Sequence, residues 1–133
     1  MKLRYYNDSE LEKLNNNIFV KKVHFKRRIE YDTLFKLWCI MMRIDCPELT
    51  GKQIFERAGF DTSFLHNNLP YRRIGEWYDN YKKFGLNYFL PELEPYCSKE
   101  IKVTEIKEDA FKLKLLKVVL NRLREIENEE SIT

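Results

Sequence analysis

The sequence predicts a mainly α-helical protein with a small N-terminal β-hairpin and a C-terminal amphipathic helix. Apolar residues recur at three- and four-residue spacing in several segments, which is the periodicity of helices packed on a core. Glycine and proline separate these segments. The stretch that favours strands is "IFVKKVHFKRRIEY", where β-branched and aromatic residues are interspersed with cations.

The composition sets the size and setting of the protein. With 133 residues and 44% hydrophobic content, the chain can build one modest core. Its three cysteines form no CxxC pair, which argues against a disulfide framework and a zinc knuckle. No signal peptide is visible, and the longest apolar run, "LWCIMM", is far shorter than the roughly 20 residues of a membrane span. We therefore expect a cytoplasmic protein with no membrane partner, no metal and no cofactor.

The N-terminal half divides into three predicted elements. The cap residues of "NDSELEKLNN" predict a short helix. The hairpin follows, with its turn near Lys26 and Arg27. From Asp32 or Thr33 the segment "LFKLWCIMMRI" is almost continuously apolar, which predicts a buried central helix that ends before Pro47.

The segment "TGKQIFERAGFD" predicts a very short helix. Thr50 suits its N-cap, and Gly59 suits a left-handed residue at its end. Ile54, Phe55 and Ala58 share one face, so this helix must pack on others to be stable. After a turn with one short helical piece, Pro70 opens another helix, which Gly85 ends.

That second helix, "YRRIGEWYDNYKKF", has an apolar face and basic residues near its start. A short helix, a glycine turn and a following basic helix form the skeleton of a helix-turn-helix, in which the second helix enters the major groove. The residues expected to face the core are Ile74, Trp77, Tyr78 and Tyr81.

The C-terminal segment allows two interpretations. Residues 86–103 contain two prolines and predict a connection without confident structure, whereas residues 104–130 are rich in helix formers. A heptad pattern in this helix predicts a dimerisation seam, but packing back onto its own domain fits equally well. The seam residues are Ile106, Leu113, Leu116, Leu120 and Leu123. The domain organisation predicted is 1–85, then the connection, then this helix.

The blocks "LEKLNNNIFVKKVHFKRRIEYDTLFK", "TGKQIFERAGFD" and "RRIGEWYDNYKK" together resemble the small helix-turn-helix proteins of Firmicutes that are related to transposase first-frame subunits. The resemblance covers about residues 8–84, and "IFERAGFD" with the upstream "VKKV" and "IEYD" is its most specific part. It implies a DNA-binding protein that acts in transposition or as a regulator derived from that role. It also implies a nucleoid-associated location, and a C-terminal position often used for dimerisation.

Charge and position select the candidate DNA contacts. Residues 1–90 carry 16 Lys/Arg against 11 Asp/Glu, net +5, whereas residues 91–133 carry 8 against 10, net −2. Near the start of the second helix Arg can reach guanine, and the start of the short helix suits a phosphate. The candidates are Lys21, Lys22, Lys26, Arg27 and Arg28 of the hairpin, Lys52 and Gln53 of the short helix, and Tyr71, Arg72, Arg73 and Glu76 of the second helix.

Two other function classes are an enzyme and a protein-interaction module. An enzyme is not expected, since His24 and His66 stand in no nucleophile motif and the glycines build no phosphate loop. A protein-interaction module on a degenerate helix-turn-helix scaffold is the main alternative. It rests on aromatic residues expected outside the clear core, namely Tyr5, Tyr6, Tyr88, Phe89 and Tyr96.

Overall fold

A computed structural model describes residues 5–93 and 106–132, with side chains of the second range described over 110–129. The elements in chain order are α1 (Asp8–Asn15), β1 (Val20–His24), β2 (Arg28–Tyr31), α2 (Thr33–Asp45), α3 (Gly51–Arg57), α4 (Leu69–Phe84) and α5 (Ile106–Ile132). The mainly helical fold with an N-terminal hairpin and a C-terminal helix is confirmed.

The helices begin where the sequence places cap residues. Asn7 and Thr50 each form a capping box, with Glu10 and Gln53 respectively, so they satisfy the first N–H groups of α1 and α3. Asp32 caps α2 by accepting a hydrogen bond from the Leu34 N–H at 3.0 Å. α4 is different, because the Asn68 side chain at its N-cap position makes no capping hydrogen bond.

The hairpin is antiparallel and irregular at one point. Val23 pairs with Ile29, and the register shifts between Val20 and Lys22, which leaves Lys21 as an extra residue. Side chains of a regular strand alternate between the two faces, but the bulge leaves Lys21 and Lys22 both exposed. The turn itself spans 24–27, as predicted, and the Arg27 N–H donates to the His24 carbonyl at 3.1 Å.

An aromatic cluster centred on Phe35 forms the middle of the core. The Phe35 ring lies 5.6 Å from Tyr31 of β2, 5.1 Å from Phe55 of α3 and 5.8 Å from Trp77 of α4, measured between centroids. Phe60 packs against the same ring at 5.1 Å. One side chain of α2 therefore ties together the hairpin and both helices of the predicted DNA-binding unit.

The connection between α3 and α4 does not confirm a helix-turn-helix. Residues 58–68 separate the two helices and include a 3-10 turn at Thr62–Phe64, whereas the motif uses a turn of three or four residues. Gly59 has the positive φ expected at the end of α3 (89°). The longer connection contributes Phe60, Phe64 and Leu65 to the core, where all three are buried.

Two expectations are corrected, one about the chain after α4 and one about the aromatic residues expected outside the core. Residues 86–93, predicted as a connection without confident structure, form 3-10 turns at Leu86–Tyr88 and Leu90–Leu93, and Leu86, Phe89 and Leu93 are buried. Tyr6 is also buried, so it and Phe89 belong to the core, whereas Tyr5 and Tyr88 are exposed. Tyr96 and the rest of the predicted connection, 94–103, lie outside the described residues.

α5 packs along α2. Leu116, Val119, Leu123 and Ile126 are buried in the common core. At the start of α2, Lys112 of α5 pairs with Asp32 at 3.1 Å. At the end of α2, Arg122 of α5 donates to both carboxylate oxygens of Asp45, with the shortest N–O distance at 2.8 Å. The helix thus packs back onto its own domain, which is the second of the two interpretations.

The packing of α5 on α2 buries part of the predicted dimerisation seam. Leu116 and Leu123 are buried by their own chain, while Leu113 and Leu120 are half-buried. The Ile106 side chain lies outside the described residues. Leu116 and Leu123 cannot face a second copy while α5 is docked, so a dimer through this seam remains a prediction that requires α5 to undock.

Leu123→Ala should lower the free energy of unfolding by about 2–5 kcal/mol, because it leaves a cavity where the side chain is fully buried. Val118→Ala, in the same helix but 60% exposed, is the control and should change it by less than about 0.5 kcal/mol. Chemical denaturation measures both. A Leu123→Ala protein with unchanged stability but altered oligomeric state would instead support the dimer seam.

Asp61 predicts a pH dependence of stability. Hydrogen bonds from Ser63 and then Lys13 hold the pKa of its carboxyl at about 2, below the ordinary value of 3.8. Because the folded-state pKa is depressed, the stabilisation is complete above about pH 4 and is lost as the pH falls towards 2. Between pH 4 and 2, Asp61→Asn should therefore lose stability less steeply than the wild type in thermal unfolding. If the stability of both proteins fell equally steeply with pH, the hydrogen bonds from Ser63 and Lys13 to Asp61 would be contradicted.

Candidate nucleic-acid interface

The exposed face of α4 begins at an N-terminus without acidic residues in its first turn. Ile74, Trp77 and Tyr81 fix the helix on the core, as the sequence predicts, and Tyr78 is half-buried beneath Arg43. The four candidate contacts on this helix project from its first two turns. Tyr71 is 68% exposed, Arg72 and Glu76 are exposed, and Arg73 is half-buried.

The start of α3 lies directly against the start of α4. A Cβ built on Gly51 would lie 2.8 Å from the Tyr71 backbone nitrogen, closer than real Cβ contacts allow. Lys52 and Tyr71 line the same groove, of about 480 Å³. Gln53 is only partly available, because its Oε1 accepts a hydrogen bond from the Thr50 N–H at 2.9 Å.

On the other flank of α4, the hairpin contributes a cation. Arg28 and Arg73 line one shallow depression of about 260 Å³ together with Lys36 of α2. Two carboxylates, Glu30 and Glu76, also line it. The structure therefore places Lys52 and Arg28 on opposite flanks of the helix that carries Arg72.

Local ion pairs offset part of this positive charge. Arg73 binds Glu76 at 3.0 Å, and both side chains are substantially exposed, so the pair is worth at most about 1 kcal/mol and can open. Behind it, burial raises the pKa of the Tyr31 hydroxyl, and the Arg73 guanidinium opposes part of that shift. The Tyr31 hydroxyl has no hydrogen-bond partner among the described residues.

The remaining hairpin cations lie along β1 and around the turn. Lys21, Lys22, Lys26 and Arg27 are all exposed, and none forms an ion pair with another described residue. The one acidic side chain on the hairpin, Glu30, lies 3.3 Å from His24. This end of the molecule is therefore strongly cationic.

The hairpin turn holds two side chains in an unfavourable backbone conformation. Phe25 and Lys26 have φ of 53° and 56°, the pattern of a type I′ turn, where Asn-Gly is preferred. A side chain with a Cβ costs about 1–2 kcal/mol at such a position. The Lys26 carbonyl accepts a hydrogen bond from the Tyr6 N–H at 2.7 Å, which holds the turn in place.

Phe25 and Lys36 also belong to this surface, although they are not among the contacts predicted from the sequence. Lys36 lies within the predicted apolar helix, and the structure places it in the same depression as Arg28 of the hairpin. Phe25 lies within the segment predicted to form strands, whereas its side chain is 81% exposed at the turn. Its position immediately before the two cations expected at the turn was the available clue.

Three further features of the described residues concern metal binding, thiol chemistry and membrane spans. No group of three or more His, Cys, Asp or Glu in residues 5–93 and 106–132 is arranged to hold a metal. Cys39 is fully buried, and burial raises the pKa of its thiol, which disfavours the reactive thiolate. None of the helices in this part of the chain is long and apolar enough to cross a membrane.

Comparison with protein-family models, curated proteins and solved structures finds no match to the chain.

Gly51→Ala should destabilise the protein by about 1–3 kcal/mol, because α3 must move away from the α4 backbone. Gly75→Ala is the matched control. A Cβ there meets nothing within 4 Å, so the change should stabilise α4 by up to about 1 kcal/mol. Thermal unfolding compares the two, and equal effects would show that α3 and α4 are not in close contact.

Proposed function

We propose that the protein binds double-stranded DNA, with the exposed face of α4 in the major groove, and acts in transposition or as a regulator derived from that role. Arg72 and Arg73 are the proposed base or phosphate contacts at the start of α4. Lys52 on one flank and Arg28 on the other would contact the two phosphate backbones.

The observation that carries the proposal is the placement of cations on both flanks of α4. A helix in the major groove lies between two phosphate backbones, so cations are useful on each side of it. Lys52 shares a groove with Tyr71, and Arg28 shares a depression with Arg73. Lys52 belongs to α3 and Arg28 to β2, and only the tertiary fold brings these elements beside α4.

The acidic residues on the exposed face of α4 favour discrimination between DNA sequences over tight non-specific binding to DNA. Glu76 and Asp79 are exposed on α4 and would repel phosphates. Glu76 can accept a hydrogen bond from cytosine N4 once Arg73 releases it to contact DNA. The proposed interface therefore depends on a few well-placed cations.

An interaction module without DNA binding is the second candidate. It is favoured by one observation: Phe84 and Tyr88 are 59% and 50% exposed and stack on each other with centroids 5.2 Å apart at the far end of α4. Exposed aromatic pairs are common at protein interfaces. The two candidates use opposite ends of the same helix.

The Arg72→Ala/Arg73→Ala variant should bind random-sequence duplex DNA more weakly than the wild type. It should also lower the slope of log affinity against log salt by about two, since up to two phosphate contacts are lost. Fluorescence anisotropy across a salt series measures both quantities.

Lys82→Ala/Lys83→Ala is the matched control, because it removes the same charge from exposed positions in the last turn of α4. It should change affinity and slope much less. Equal losses of affinity in the two double variants would show that DNA binding depends on net charge and not on the position of Arg72 and Arg73. Absence of wild-type binding even at low salt would reject DNA binding and favour the interaction module.

A further inference from the structure

We infer that Phe25 is a wedge that inserts between base pairs of the bound duplex and bends it. This inference rests on the proposed DNA binding but concerns a separate part of the molecule, the hairpin turn. It assigns the hairpin the task of deforming the DNA, while α4 reads the groove.

Exposure is the first observation. Phe25 is 81% exposed, the largest exposure among the large hydrophobic side chains described, and it lies at the end of a two-stranded ribbon. The aromatic residues nearest to it in the sequence on either side, Phe19 and Tyr31, are both buried. A phenyl ring held in water at a turn has no role in the core of its own chain.

The backbone supplies the second, independent observation. The turn has positive φ at both Phe25 and Lys26, although Asn or Gly would fit without strain. Such strain tends to persist where a side chain is needed at that place. Here the left-handed conformation keeps the turn tight, and the hydrogen bond from the Tyr6 N–H to the Lys26 carbonyl fixes the turn to a residue whose side chain is buried.

Charge complementarity identifies the partner as a polyanion. Lys26, Arg27 and Arg28 follow Phe25 directly, and Lys21 and Lys22 are both exposed because of the bulge in β1. An apolar ring surrounded by phosphate-binding cations matches the proteins that insert Phe, Leu or Ile between base steps. A purely hydrophobic protein partner would not require these five cations, none of which forms an ion pair with a described residue.

The fold joins the wedge to the proposed reading helix. Arg28, at the first position of β2, lies beside Arg73 of α4, so the hairpin leads away from the edge of the α4 face. A bend produced by Phe25 would bring more of the backbone onto the hairpin cations. Flexible pyrimidine–purine steps such as TA would then be preferred, because they cost the least to unstack.

The test uses a short duplex rich in TA steps that carries 2-aminopurine, whose fluorescence rises when the base loses its stacking. Wild-type protein should raise the fluorescence on binding. Phe25→Asn removes the ring but suits positive φ, so the turn should fold. It should abolish the rise and weaken binding about tenfold with the salt slope unchanged, since no charge is lost.

Two controls sharpen the comparison. Phe25→Leu keeps an apolar wedge and should retain much of the fluorescence rise. Phe111→Ala removes an exposed phenyl ring from α5 and should behave as the wild type. If Phe25→Leu behaves as Phe25→Asn does, the wedge is overturned.

The outcomes separate this inference from the proposed function. Binding that depends on Arg72 and Arg73, with no fluorescence rise or no effect of Phe25→Asn, overturns the wedge and leaves DNA binding by α4 intact. A rise confined to single-stranded DNA also overturns insertion into a duplex. No salt-dependent binding by the wild type rejects the proposed function and the wedge with it.

Discussion

The packing of aromatic rings around Phe35 is the interaction on which the rest of the structure depends. Phe35 has no exposed surface and touches rings from β2, α3, the connection after α3, and α4. Each aromatic pair adds about 0.5–1.5 kcal/mol beyond the burial of its area. Two short elements that would be marginal alone, the hairpin and α3, are thereby held in one arrangement.

The same cluster determines what the surface presents. Because Tyr31 and Trp77 meet across it, the end of β2 is fixed beside α4, and Arg28 comes to share a depression with Arg73. On the other side, Gly51 lets α3 approach the α4 backbone closely and brings Lys52 to Tyr71. The proposed interface is thus assembled from elements that are distant in sequence, and its geometry is a consequence of core packing.

The block "IFERAGFD" serves mainly as scaffold. Its residues Ile54, Phe55 and Phe60 are buried, Gly59 ends α3, and Asp61 caps the next turn while binding Lys13 of α1 at 2.9 Å. Asn17 adds a hydrogen bond to the Ala58 carbonyl at 3.1 Å. This block therefore builds the domain, whereas the proposed contacts lie on residues around it, where charge and side-chain type can vary without loss of the fold.

The sequence by itself determined the elements: cap residues, apolar spacing and glycines placed α1, the hairpin, α2, α3, α4 and the C-terminal helix close to their observed positions. These are local properties, set by a few neighbouring residues. Only the tertiary structure decided that 86–93 and α5 complete one core with α2, because apolar heptads fit an intramolecular and an intermolecular partner equally well. It also decided the length of the α3–α4 connection, the exposed position of Phe25 at a positive φ, and the depression that Arg28 shares with Arg73. These features depend on contacts between residues far apart in the chain.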